Sequence, residues 1–441
     1  MNVLLLLYDM KKLILLFFPL YMASQDVSIG SWKNYLSYNS ATHISEANNK
    51  IYCVASEGLF YINKEDFSIN RLSKINGLSD LEIKYVAFAN EDDITIVVYK
   101  NCNIDLIKNG QIINISDIKR KEITGVKEIY NVTVKEKILY LSCSFGLVLI
   151  DLEREEIKDT YNIGDINGMF EVRGCAFLGD SIIAATSSGV FYADINSMSL
   201  SDFNSWNVLP GFSNSVNYDN IICANENIYV DTTVDIKSIS YNNKLIKTFV
   251  DKIEVVSENN VAAEITSPLF SNVMFAINDN ENTIWVADSI NGILRFENNI
   301  YVESFVPEGP KRNEVYSLVF TGGKLYQCHG GHANFGANAL IDDGVSIKDN
   351  YDSWINYDRY KLGNARDILE VGVWGETEYY ASWYHGISEM KNGELVVKHG
   401  YANTNGVLDT TYYSNNRIRI SDIKFDKNGN LWAISSEVNH P

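Results

Sequence analysis

Helical periodicity is what this chain most conspicuously lacks. After residue 25 almost no stretch places apolar residues at the 3.6-residue spacing of an amphipathic helix, which excludes the all-α classes. Proline is scarce, at six residues, and no low-complexity segment occurs. A hydrophobic content of 46% with 12% aromatics excludes disorder, which would require far fewer. Basic residues are outnumbered, 37 against 56 acidic, for a net charge of -19, which argues against a nucleic-acid surface because phosphate binding needs concentrated Lys and Arg. The cysteines Cys53, Cys102, Cys143, Cys175, Cys223 and Cys328 are irregularly spaced and form no C-x-x-C pair. Small buried apolar side chains are the better account of them, with a disulfide left open and unpaired by sequence. There is no G-x-S-x-G elbow, no H-E-x-x-H and no Asp-box turn of the form S-x-D-x-G-x-T-W. The reading therefore names no catalytic residue and no cofactor, and leaves open only paired carboxylates distant in sequence.

What the chain does have is a recurring phrase: an apolar-aromatic strand, one or two small polar residues, then a Gly that opens a second apolar strand. It reads Ile51-Tyr52-Cys53-Val54-Ala55-Ser56-Glu57-Gly58-Leu59-Phe60-Tyr61, and returns around Asn103, Gly146 and Gly189 at spacings of 45, 43 and 43 residues. A weaker copy runs from Ile228 to Ile239, a full one from Ile284 to Leu294, and fragments lie at Tyr380 to Met390 and Leu431 to Ala433. Such a period means an array of small sheets. The Gly, and its Asn substitute, point to a positive φ in the turn, which those two residues accept cheaply. Asn- and Gly-rich turns such as Lys108-Asn109-Gly110 and Lys391-Asn392-Gly393 separate the strands, as in tight hairpins. The fold class expected is all-β: a seven-bladed β-propeller followed by an incomplete second β-propeller. Six copies of the phrase end near Phe296, and the seventh strand group is expected from the chain ends by overlap closure. Trp32, Trp206 and Trp354 precede apolar strands as if each ring sealed a blade against its neighbour.

Three segments follow. Residues 1–24 read as a signal peptide: Lys11-Lys12, the apolar run Leu13 to Leu20, then small residues, with Met10 the expected start. Nothing later is apolar enough to span a bilayer as a helix. Residues 25–308 form the first propeller, up to the break Val306-Pro307-Glu308-Gly309-Pro310. Residues 309–441 form a partial second propeller; about three blades fit there where at least four are needed. The chain stops partway through a phrase, so a fragment or split gene product is expected.

Each candidate site also has a plainer reading. Cys328, His329 and His332, with Asp342 and Asp343 nearby, could ligate zinc, but glycine-flanked loop and rim residues fit better. His385 reads as a packed turn residue. Asp426-Lys427-Asn428-Gly429-Asn430 resembles a calcium loop but lacks its remaining ligands, so a hairpin turn is expected. Lys119-Arg120-Lys121 is a compact basic cluster read as a solvated edge. Between Trp354 and Tyr384 eight rings fall close together, mostly blade packing. Trp354, Tyr357, Trp383 and Tyr384 are the candidate contacts for a glycan or a partner.

The segments Trp32 to Tyr38, Ile51 to Tyr61 and above all Ile69-Asn70-Arg71-Leu72-Ser73-Lys74-Ile75-Asn76-Gly77-Leu78-Ser79-Asp80 resemble the N-terminal propeller of PorZ-like proteins, components of the Bacteroidota type IX secretion system. The resemblance implies two propellers followed by a small β-sandwich domain, export through the inner membrane to the periplasm, and display at the outer-membrane cell surface. It also implies a non-enzymatic role, binding anionic lipopolysaccharide and assembling with the sortase and other secretion-system proteins. This chain departs from that pattern in lacking the C-terminal domain. Two other readings remain: a periplasmic sensor propeller of a two-component regulator, and a carbohydrate-active propeller enzyme.

Overall fold

A computed structural model of the chain describes residues 32–436 apart from 57, 166–167, 214–215, 232–234, 243, 258–259, 280, 350, 352 and 412–416. The signal segment 1–24 lies outside these. By contacts the chain divides into residues 1–35 and 36–441, and every sheet belongs to the second unit.

The fold is all-β, a seven-bladed β-propeller followed by blades of a second. Blade 1 comprises Ala41–Ala47, Lys50–Ala55, Gly58–Asn63 and Ile69–Leu72 as an antiparallel sheet in sequence order. Blades 2, 3 and 4 repeat the design from Ile83–Ala89, Ile129–Lys135 and Val172–Leu178. Blade 5 has two strands among the described residues, Asn220–Ala224 and Asn227–Asp231. Blade 6 runs from Ser238–Asn242 to Asn260–Thr266, and blade 7 from Val273–Asn278 to Ile300–Phe305. Each inner strand packs against the next, and that of blade 7 returns to that of blade 1. Blade 8 (Ser317–Thr321 to Trp354–Tyr357) and blade 9 (Ile368–Trp374 to Glu394–His399) are four-stranded, and blade 10 pairs Arg419–Phe425 with Leu431–Ser436.

Two expectations are corrected. Blade 7 is contiguous in sequence, so the ring closes without the overlap of chain ends. The weak phrase Ile228 to Ile239 is no blade phrase: it joins the last strand of blade 5 to the first of blade 6. Blade 6 escaped notice because its sequence has no Gly to mark the turn.

Burial explains why the central strands carry the phrase. The second strand is covered on both sides by neighbouring blades: Ile94–Tyr99 and Thr283–Asp288 are buried throughout. Strands covered on both faces read as continuous apolar runs. The outer strand Glu156–Tyr161, by contrast, is largely exposed and polar. The turn before the third strand is more varied than expected. Gly146 has φ 121°, and a Cβ there would lie 2.7 Å from the Tyr161 carbonyl oxygen. In blade 1, however, Ser56 takes the positive φ, and Gly58 is required because a Cβ would meet the Tyr38 ring at 2.6 Å. In blade 2 the positive φ falls on Cys102, not Asn103.

Of the three linker tryptophans, Trp206 is the seal expected. It is buried in the cluster joining blades 3 and 4, and its Nε1 donates to the Leu200 carbonyl at 2.9 Å. Trp32 is exposed. At the blade 7–blade 1 seam the ring is Trp285, from a strand, packed with Ile44, Cys53 and Phe60 of blade 1. Beside it Lys64 of blade 1 is buried between Glu46 at 3.0 Å and Asp279 of blade 7 at 3.1 Å. Burial alone would lower the Lys64 pKa, but hydrogen bonds from its ammonium to Glu46 and Asp279 raise it.

Removing one partner of a buried pair leaves the other charge uncompensated. Lys64→Ala should therefore cost about 3–5 kcal/mol of unfolding free energy, whereas Lys137→Ala, in an exposed pair with Glu153, should leave stability nearly unchanged. Urea unfolding of the two variants measures both, and equal losses would show that the seam contributes nothing special.

Candidate functional site

In four-stranded antiparallel blades, the turn between second and third strands and the link to the next blade emerge at one end of the ring. In blades 1 to 4 and 7 that turn is short, but in blade 8 it lengthens to residues 329–344. Long loops on a rigid scaffold are where binding groups concentrate. Five of the ten arginines of the chain, Arg312, Arg359, Arg366, Arg417 and Arg419, belong to the loops and strand starts at this end of blades 8 to 10.

The loop is tied down from below. Buried Asp367 accepts the backbone N–H of Leu340 at 3.1 Å and of Ile341 at 2.7 Å. Trp383 Nε1 donates to the Gly336 carbonyl at 3.0 Å, and the Asn338 side-chain amide donates to the Trp383 carbonyl at 2.7 Å. The Trp383 ring meets His332 at 4.3 Å and lies under the Arg419 guanidinium at 5.0 Å. His332 Nε2 is 2.9 Å from the Tyr316 hydroxyl.

In the same turn Tyr384 and His385 are half-buried. Ser382 Oγ accepts both of their backbone N–H groups. The strand start of blade 10 docks on this turn: the Ile418 N–H donates to the Tyr384 carbonyl and the Gly386 N–H to the Ile418 carbonyl. That pairing places the Arg417 guanidinium 5.5 Å from the Tyr384 ring centre. Asp342 holds two more arginines, Arg359 at 3.1 Å and Arg366 at 2.6 Å. Burial would raise the Asp342 carboxyl, but the hydrogen bond and charge of Arg366, followed by Arg359, hold it below its usual range. Arg359 also lies 4.7 Å from the ring of exposed Tyr360. His385 registers this crowd of cations: desolvation first, then Lys398, Arg366 and Arg359, push its pKa down to about 4.

The four rings singled out from sequence therefore separate. Trp383 and Tyr384 share one turn, with Trp383 buried as the buttress of the loop and Tyr384 half-buried at the surface. Trp354 and Tyr357 lie on the outer strand of blade 8, half-buried, and Tyr357 packs against the core with its ring 6.3 Å from that of Tyr380. Cys328 is buried within its strand, and the ring nitrogens of His329 face the Glu314 carbonyl and Ser346 Oγ, so these residues do not converge with His332 on one point. Asp426 sits in the tight turn between the strands of blade 10, where Oδ1 takes the N–H groups of Asn428 and Asn430. In the basic cluster Lys119 pairs with Asp80 and Arg120 with Asp117. Sequence reading missed Arg359, Arg366 and Arg417, whose only linear sign is the arginine enrichment of the last third.

Since His385 is held neutral in the folded chain, the unfolded chain takes up its proton at higher pH. Its contribution to stability is complete above the ordinary value of 6.5 and is lost as pH falls toward about 4. His385→Gln should flatten the fall of melting temperature between those limits, and an unchanged slope would show that the residue is not held neutral.

A family model described as the type IX secretion system PorZ N-terminal β-propeller domain matches residues 51–207. No curated protein matches the sequence. Among solved structures, that of PorZ, described as an essential bacterial surface component of the type-IX secretion system of Porphyromonas gingivalis, is 20% identical with a TM-score of 0.77. The match covers 92% of this chain and 57% of that one. The extracellular domain of the one component system BT4673 from B. thetaiotaomicron is 12% identical at a TM-score of 0.33, covering 93% of this chain and 59% of that chain. That of the hybrid two component system BT3049, from the same organism, is 14% identical at 0.28, covering 92% and 63%. The PorZ structure shows the β-propeller fold, and over residues 51–207 the chain is similar to the PorZ N-terminal propeller.

Proposed function

We propose that the chain is a non-enzymatic component of a type IX secretion system at the cell surface, where it binds anionic lipopolysaccharide and proteins of the sortase and attachment complex. The observation that carries this reading is the match of residues 51–207 to the PorZ N-terminal propeller. The cationic, ring-bearing end of blades 8 to 10 supports it, because guanidinium groups pair with carboxylates and phosphates and aromatic faces suit sugar rings. In the same proposal residues 1–24 direct export through the inner membrane to the periplasm, residues 25–308 form the first propeller and residues 309–441 part of a second. Among the described residues no helix is long and apolar enough to cross a membrane.

Calorimetry of the mature chain with anionic lipopolysaccharide, against neutral lipopolysaccharide as control, tests the reading. Selective binding of the anionic form is the expected result. Equal binding of both, or none by protein shown to be folded, would return the sensor and enzyme readings to the front.

A further inference from the structure

Cations are concentrated at the Tyr384–His385 turn. Arg359, Arg366, Arg417 and Lys398 surround it, and Asp342 is the carboxylate shared by two of them. Of the other acidic groups nearby, Asp343 pairs with Arg312 at 3.1 Å, Asp367 accepts two backbone N–H groups while its charge also acts on Arg366, and Asp358 accepts the Lys361 N–H. In a chain of net charge -19 these cations are gathered at one turn, and keeping guanidinium groups together costs Coulomb energy that Asp342 and Asp367 offset and a further anion would offset more. The Nε of Arg359 is moreover buried with no hydrogen-bond partner. A guanidinium offers five donors in a fixed fork, and a single shared carboxylate does not use them all. Two rings flank the cations, Tyr384 under Arg417 and exposed Tyr360 under Arg359.

We infer that this end of blades 8 to 10 is the binding site for the acidic groups, phosphate or carboxylate, of a polysaccharide chain. Arg359, Arg366 and Arg417 are the counter-charges, and Tyr360 and Tyr384 the faces on which neighbouring sugar rings lie. The inference rests on the anionic-glycan reading above and adds the residues. It moves the contact from the aromatic set read in the sequence to the arginines, with Trp383 reduced to a support and Tyr384 retained.

The test uses the mature chain, the double variant Arg359→Gln/Arg366→Gln, and Arg417→Gln as a second variant that leaves Asp342 and its loop untouched. Circular dichroism and melting establish that each is folded. Affinity for anionic lipopolysaccharide should fall about tenfold or more in the double variant and measurably in Arg417→Gln. Anionic lipopolysaccharide bound equally by the parent and both variants overturns the site while the wider reading survives. Inorganic phosphate, titrated while the His385 ring is followed by NMR, separates the two further. Phosphate bound among these arginines should raise the His385 pKa from about 4 in the parent and not in the double variant. A parent whose His385 responds to phosphate but which ignores anionic lipopolysaccharide retains an anion site and loses the polysaccharide assignment. A parent that responds to neither loses both.

Discussion

The first ring depends on the seam between blades 7 and 1. Each blade there is built from consecutive strands, so no strand of one blade is lent to another across the closure, and the last blade must be held to the first by side chains. Trp285 supplies the apolar part, fully buried between the blades, and Lys64 supplies the polar part, joining Glu46 and Asp279. Asp279 ties the two together, because its other contacts are the Trp285 Nε1 at 2.9 Å and the N–H groups of Glu281 and Thr283. Blade 10 has the same turn: Asp426 takes two backbone N–H groups and lies 3.4 Å from the Nε1 of Trp432. Yet Trp432 is 67% exposed where Trp285 is 1%. The Asp turn therefore orients the ring in both cases, and it is the facing blade that converts the oriented ring into a seam.

A second set of polar contacts connects the start of the first ring to the second. Ser37 and Asn39, just before blade 1, hydrogen-bond to the Lys311 carbonyl, and the Ser37 N–H donates to Asn313. Gly309 passes so close to the Leu36 carbonyl oxygen that a Cβ would lie 2.6 Å away, which makes this a place for glycine alone. The Lys311 N–H then reaches Ser346, and the Asn356 amide reaches the Gly309 carbonyl, both on blade 8. Arg312 follows directly and pairs with Asp343 in the long loop. The proline-containing segment that sequence marks as a break is thus hydrogen-bonded on both sides, and it carries the loop end of blade 8 in a fixed relation to blade 1.

The parts of this structure that sequence reveals are those set by burial on two faces. Ile51 to Tyr61 and Ile284 to Leu294 announce themselves because neighbouring blades cover them and a tight turn separates their strands. Blade 6 lacks the Gly, and blade 5 shows two strands among the described residues, so neither keeps the period of the repeat. The closure was misread because six visible phrases left one blade to be found at the chain ends, when it lay between Ser238 and Thr266. The arginine end was illegible for another reason. Arg359, Arg366, Lys398 and Arg417 come from two separate inter-strand connections and a strand, and only the return of each blade to the same end brings them together, whereas the contiguous Lys119-Arg120-Lys121 finds acidic neighbours.

The acidity of the chain and the cationic end do not conflict. Between exposed charges, salt at physiological strength screens interactions beyond about 8 Å, so a polyanion approaching the loop end of blades 8 to 10 is governed by the groups within that distance. There it meets arginines held in place by Asp342 and by the pairing of Ile418 with Tyr384, their orientation settled before any ligand arrives. Pre-set donors lose little entropy on binding. Elsewhere the surplus of carboxylates repels the same ligand at contact. An acidic protein with one pre-organised basic end is thereby more selective in where it takes a polyanion than a uniformly basic one, which would hold it anywhere.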